Sequence, residues 1–76
     1  MIIILGRRDC NECGGEGTVR LIINRDGIWS QCERCKFLEW EWTWGDDPDY
    51  LSYLARTFNV DLERLENALE RVAEGL

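Results

Sequence analysis

Histidine is absent from the 76 residues of this chain. That removes the side chain most often used as a general base and one of the commonest metal ligands. The only serines, Ser30 and Ser52, have no identifiable base beside them in the sequence, so nucleophilic catalysis has no visible apparatus. The many carboxylates fall on predicted helix surfaces, where they are solvated, and an enzyme is not expected. No hydrophobic run approaches the length of a membrane span. The opening Met1-Ile2-Ile3-Ile4-Leu5 reaches Arg7-Arg8 only afterwards, the reverse of a signal peptide's order. A reducing, cytoplasmic location is the expectation. No low-complexity linker and no internal repeat beyond two cysteine pairs interrupts the chain, which reads as one domain over residues 1–76.

Clustered basic charge is also lacking. The net charge is −6, unevenly spread. Residues 1–36 carry six basic and five acidic groups, and residues 37–76 carry three basic and ten acidic. Phosphate backbones attract clustered Lys and Arg, so nucleic acid is a disfavoured partner for this field.

What the chain does have is four cysteines in two C-x-x-C pairs, Cys10/Cys13 and Cys32/Cys35, with 18 residues between the pairs. Two residues between thiols let both sulfurs of a pair reach one ion from a single tight turn. Two such turns complete a tetrahedral S4 site, the usual closed structural site for Zn2+. With all soft ligands used, no coordination position remains for substrate. Such a site suits a chain near the lower size limit for an apolar core, because metal binding adds about 10–16 kcal/mol of apparent folding free energy. The competing readings are a rubredoxin-like iron site and a pair of disulfides; a disulfide within C-x-x-C closes only a short, strained loop.

Around the cysteines the pattern is that of strands. Ile2–Leu5 is short and β-branched, Thr18–Asn24 reads as a strand, Arg25-Asp26-Gly27 as a hairpin turn, and Ile28–Gln31 as the return strand. In Lys36–Trp44, period-two alternation puts Leu38, Trp40, Trp42 and Trp44 on one face. After Gly45-Asp46-Asp47 the period changes to helical. Asp47 suits an N-cap and Pro48 the first helical position. Tyr50, Leu51, Tyr53, Leu54 and Phe58 then recur on one face, and Asn59 can end the helix in a left-handed conformation. Asp61 caps a second helix whose stripe is Leu62, Leu65, Leu69, Val72 and Leu76. The predicted fold is α+β: a small zinc ribbon of three or four antiparallel strands with two metal knuckles over residues 1–45, and an acidic helical hairpin over residues 46–76 packed on it.

The stretch Cys10-Asn11-Glu12-Cys13-Gly14-Gly15-Glu16-Gly17 resembles the C-x-x-C-x-G-x-G half-site of DnaJ-type chaperone zinc domains. There the glycines turn the backbone toward the metal and aim N–H groups at the sulfurs. The resemblance implies metal ligation by the cysteines and nothing about clients, since the second knuckle, Cys32-Glu33-Arg34-Cys35-Lys36-Phe37, has no G-x-G. As a whole the layout looks like generic zinc ribbons, whose functions vary widely. Leu54–Asp61 resembles the turn of helix-turn-helix proteins, but the helix that would read bases carries Asp61, Glu63, Glu66, Glu70 and Glu74 against Arg64 and Arg71.

Three groups of side chains are candidates for contact. Trp40, Trp42 and Trp44 either form core under the helices, against Tyr50, Leu54, Leu65 and Leu69, or present a hot-spot face to a partner. Glu63, Glu66, Glu70 and Glu74, with Asp46, Asp47 and Asp49, make an acidic surface suited to a protein partner with a basic face. In size and charge the chain resembles phage-encoded inhibitors that occupy a target's nucleic-acid groove. The expected function is a protein–protein interaction module, an inhibitor or regulator of a nucleic-acid-handling protein. The alternative is a nucleic-acid-binding ribbon using Arg7, Arg8, Arg20, Arg34 and Lys36. A monomer is compatible with this, and so is a homodimer through the second helix.

Overall fold

The computed structural model describes residues 2–75. Four strands form one antiparallel sheet in chain order, β1 (Ile3–Arg8), β2 (Val19–Asn24), β3 (Gly27–Cys32) and β4 (Leu38–Trp42). Two helices follow, α1 (Tyr50–Thr57) and α2 (Leu62–Glu74). The α+β expectation is met, with the sheet at four strands and β1 reaching three residues past the predicted Leu5.

Alternation in β2 and β3 decides which face the helices cover. Val19, Leu21 and Ile23 of β2 and Ile28, Ser30 and Cys32 of β3 are buried on one side. Against them pack Leu51, Leu54, Ala55 and Phe58 from the first helix and Leu65, Ala68, Leu69 and Val72 from the second. Burying such side chains contributes about 1.5–3 kcal/mol each, the main drive for closing the helices onto the sheet. The stripe expected on α2 is therefore shifted. Ala68 belongs to it, Leu62 is partly out in solvent, and Leu76 lies outside the described residues. Because Leu65, Leu69 and Val72 are spent on the chain's own core, they are not a seam for a second copy.

The hairpin turn comes where Asp-Gly predicts it, though the positive φ falls differently. Arg25 and Asp26 make a two-residue turn without left-handed backbone, and Gly27, paired with Asn24, takes φ 130°. A Cβ at Gly27 would run into the Trp42 carbonyl, so the glycine also lets β4 approach. Gly6 serves β1 in the same way. At φ 69° it sits in a register break between Leu5 and Arg8, and a Cβ there would lie 2.5 Å from the Phe58 carbonyl oxygen. That carbonyl accepts the Arg7 N–H at 2.9 Å, tying the end of α1 to β1.

The helix ends follow the sequence with two changes. Asn59 does adopt the left-handed conformation (φ 55°), and Val60 N–H returns to the Ala55 carbonyl at 2.9 Å. Asp61 occupies the N-cap of α2, but its carboxylate makes no capping bond. Asp47 and Pro48 lie in a lead-in turn before α1: Asp47 Oδ1 accepts the Asp49 N–H at 2.9 Å, and the Tyr50 N–H donates to the Asp47 carbonyl.

Candidate metal centre and the surfaces around it

Two equivalent knuckles carry the cysteines. In the first, Cys10 N–H donates to Gly15 O at 2.9 Å and Gly14 N–H to Cys10 O at 3.0 Å. In the second, Cys32 N–H donates to Phe37 O at 3.1 Å and Lys36 N–H to Cys32 O at 3.0 Å. Gly14 (φ 72°) and Lys36 (φ 66°) thus hold the same left-handed position, so the second knuckle has the first one's shape without its glycine.

The two turns bring all four sulfurs within 4.8 Å of one another. Cys10 Sγ is 3.7 Å from Cys35 Sγ, and Cys13 Sγ is 3.6 Å from Cys32 Sγ. A disulfide would need about 2.05 Å. A tetrahedron with metal–sulfur bonds of about 2.3 Å has an edge of about 3.8 Å, close to both separations. Cys10 and Cys32 are buried at the end of the sheet while Cys13 and Cys35 face outward. Among the described residues the four cysteines form a metal-binding cluster, as their spacing predicts.

The electrostatics fit a dication. The Cys35 amide and the Thr18 hydroxyl, 3.4 and 3.3 Å from Cys32 Sγ, outweigh desolvation and hold that thiol down at about 5. The Phe37 amide favours the Cys35 thiolate, but desolvation and the sulfurs of Cys32, Cys10 and Cys13 override it and push that thiol up to about 12. Four thiolates this close repel one another unless a cation sits between them. A bound metal removes the repulsion and leaves the N–H and O–H donors to stabilise the sulfur charge. Thr18 was not legible as a supporting residue, because only folding brings it beside Cys32.

The tryptophans do not share a face. Trp29 pairs with Trp40 and Ile28 with Trp42, so β4 holds one extra residue, Glu41, between those pairs. This bulge resets the alternation. Trp42 turns inward to the core, where its indole N–H donates to Asp47 O at 3.2 Å. Trp40 points to the opposite side of the sheet and packs edge-on to Trp29, with ring centroids 4.4 Å apart. Trp44, beyond the strand, donates to Arg25 O at 2.9 Å. Of the three, only Trp42 is core, and its companions lie on different surfaces. Trp29, absent from the sequence-based candidates, is the partner of Trp40; the alternation of Ile28-Trp29-Ser30 was its signal.

The acidic candidates are where the helical pattern puts them. Glu63, Glu66, Glu70 and Glu74 are all exposed along the solvent side of α2, and Asp46, Asp47 and Asp49 are exposed ahead of α1. The basic residues of the ribbon are partly neutralised. Glu33 pairs with Arg20 and, at 3.7 Å, with Arg7. Arg8 pairs with Glu39 at 3.5 Å and lies over the Phe58 ring. Ser30 does have a carboxylate beside it, Glu41 Oε1 at 3.4 Å, contrary to the sequence reading. The serine is 1% exposed.

Among the described residues no helix is long and apolar enough to cross a membrane. Comparison with protein-family models, with characterised proteins and with solved structures finds no match for this chain. The likeness to DnaJ-type half-sites therefore rests on the metal-binding cysteines and glycines of the first knuckle alone.

Proposed function

We propose that the chain is a small zinc-binding ribbon that acts by recognition, docking through the acidic ridge of α2 onto a protein with a basic surface. The observation that carries this is the division of labour within α2. Leu65, Ala68, Leu69 and Val72 anchor one face in the core, while Glu63, Glu66, Glu70 and Glu74 occupy the other and are exposed. A rigid row of like charge gives partner selection and a fast, salt-sensitive encounter. Zinc is the metal of the proposal because four cysteine ligands at tetrahedral spacing suit it and leave no open position for chemistry. A basic nucleic-acid groove on the partner is the sharper version, in which the chain blocks the groove as an inhibitor or regulator.

Two measurements test it. Elemental analysis of the reduced, folded protein is expected to give one zinc per chain; stoichiometric iron or no metal overturns the zinc assignment. Affinity capture from cells of the source is expected to retain a basic protein at low salt and release it as salt rises. Changing all four ridge glutamates to glutamine should abolish capture without altering zinc content. A partner held equally by this variant refutes the acidic-ridge mechanism.

A further inference from the structure

The sheet face away from the helices carries an apolar row across all four strands, flanked by Arg20, Asn24 and Gln31. Ile4, Ile22, Trp29 and Trp40 form one cross-strand row, from the Ile4–Ile22, Ile22–Trp29 and Trp29–Trp40 pairs. Leu38, paired with Gln31, stands beside them, and Ile2 continues the alternation of β1. Ile4, Leu38 and Trp40 are 51%, 50% and 44% exposed. In a protein of this size the other face of the sheet supplies the core, and among the described residues nothing covers this one.

We infer that this face is a homodimer interface, covered by the same face of a second copy. The distribution of charge selects that occupant. The chain carries −6, yet no carboxylate belongs to the apolar row. Glu39 and Glu41 point to the helix side of β4, and the α2 glutamates lie beyond the core. Two copies packed sheet to sheet keep their α2 ridges apart by the thickness of two sheets and two helix layers. With layers about 10 Å apart that is about 30 Å, nearly four Debye lengths at physiological salt. Any contact through the helical side would instead press the two acidic ridges together. At one end of the face Arg20 is held by Glu33 of the same chain, and at the other Asp26 borders a hollow of about 250 Å³ with Ile22, Asn24, Trp29 and Leu38. Under a two-fold axis that reverses the strands the apolar row meets itself.

The area sets the strength. Four strands about 4.8 Å apart, each with about five residues rising about 3.4 Å, cover roughly 300 Å² in projection per copy. That is well below the size of a standard specific interface, so a weak dimer forming at the upper end of the micromolar range is expected. The acidic ridges remain outward in this arrangement, free for a partner protein.

Sedimentation equilibrium of the metal-loaded chain from about 5 to 500 µM tests the inference. The wild-type mass is expected to rise from 8.9 kDa toward twice that value across the range, and the dimer to persist or tighten in 0.5 M salt. Trp40→Glu and, separately, Ile22→Glu should weaken association at least tenfold while metal content and far-UV circular dichroism stay unchanged. Ile4→Glu serves if either of these fails to fold. Replacing the four α2 glutamates with glutamine should leave the dimer intact, which separates this interface from the acidic-ridge mechanism. A wild-type chain that remains monomeric at 500 µM, or a dimer that survives all of the sheet-face variants, overturns the inference. A monomer that binds single-stranded oligonucleotide through Trp40 also overturns it, giving the face to stacked bases.

Discussion

Trp40 and Trp42 are separated by one residue in the same strand, yet truncating them should have very different consequences. Trp42 is 6% exposed, donates its indole N–H to Asp47 O, and packs edge-on to Trp44 with centroids 5.6 Å apart. Trp→Ala in a core costs about 3–5 kcal/mol, and the lost hydrogen bond falls within that range. Trp40 is half-exposed and keeps mainly its contact with Trp29, a pair worth about 0.5–1.5 kcal/mol. Single domains of this size have about 5–15 kcal/mol of stability in all, and each kcal/mol shifts Tm by about 4–8 °C. Trp42→Ala is therefore expected to lower Tm by at least about 12 °C, and Trp40→Ala by about 2–12 °C, the smaller shift of the two. Both variants should be melted with metal saturating and at a few micromolar protein, so that neither metal loss nor self-association contributes. If the two substitutions destabilise equally, or in the reverse order, the bulge at Glu41 is not where the fold places it.

Three further predictions concern the knuckles and the carboxylates. Lys36→Gly should stabilise the metal-loaded protein by about 0.5–1 kcal/mol by relieving the left-handed strain of a residue with a Cβ, read as a higher urea midpoint, whereas Lys36→Val should lower it. Chelation of the metal should unfold the ribbon cooperatively, with loss of sheet signal in far-UV circular dichroism and recovery on adding zinc, because the contribution of such a site is comparable to total domain stability. Burial first, and then Glu39, raise the Glu41 carboxyl above its ordinary value. A carboxyl raised by folding favours the native state while it is protonated, and that contribution is lost as pH climbs from the ordinary carboxylate range through the raised value. Glu41→Gln should accordingly be more stable than wild type at pH 7, the gap closing as the pH falls toward 4; a gap constant with pH would count against this account.

Some of this was readable directly from residue order, because the determining interactions are local. The C-x-x-C turns, the Asp-Gly hairpin, the left-handed Asn59 and the change of hydrophobic period after Gly45 each depend on residues a few positions apart. The metal ligands were legible for the same reason: a two-residue spacing closes a knuckle whatever surrounds it. The exposed row Glu63, Glu66, Glu70 and Glu74 likewise follows from helical period alone. What the linear order could not supply was the sense in which β4 is read. Its alternation is regular from Leu38 to Trp44, and only pairing with β3 inserts the bulge that sends Trp42 inward and Trp40 outward. Register is settled between strands, by how side chains of both fit the core and by how closely Gly27 allows β4 to approach. The same holds for Thr18 beside Cys32, Glu33 between two arginines, and Glu41 against Ser30, all of which lie far apart in sequence. Composition and spacing determined that there would be a ribbon whose cysteines gather into a metal-binding cluster, with an acidic helix; tertiary packing alone decided which large apolar side chains the core would take and which it would leave on the open face of the sheet.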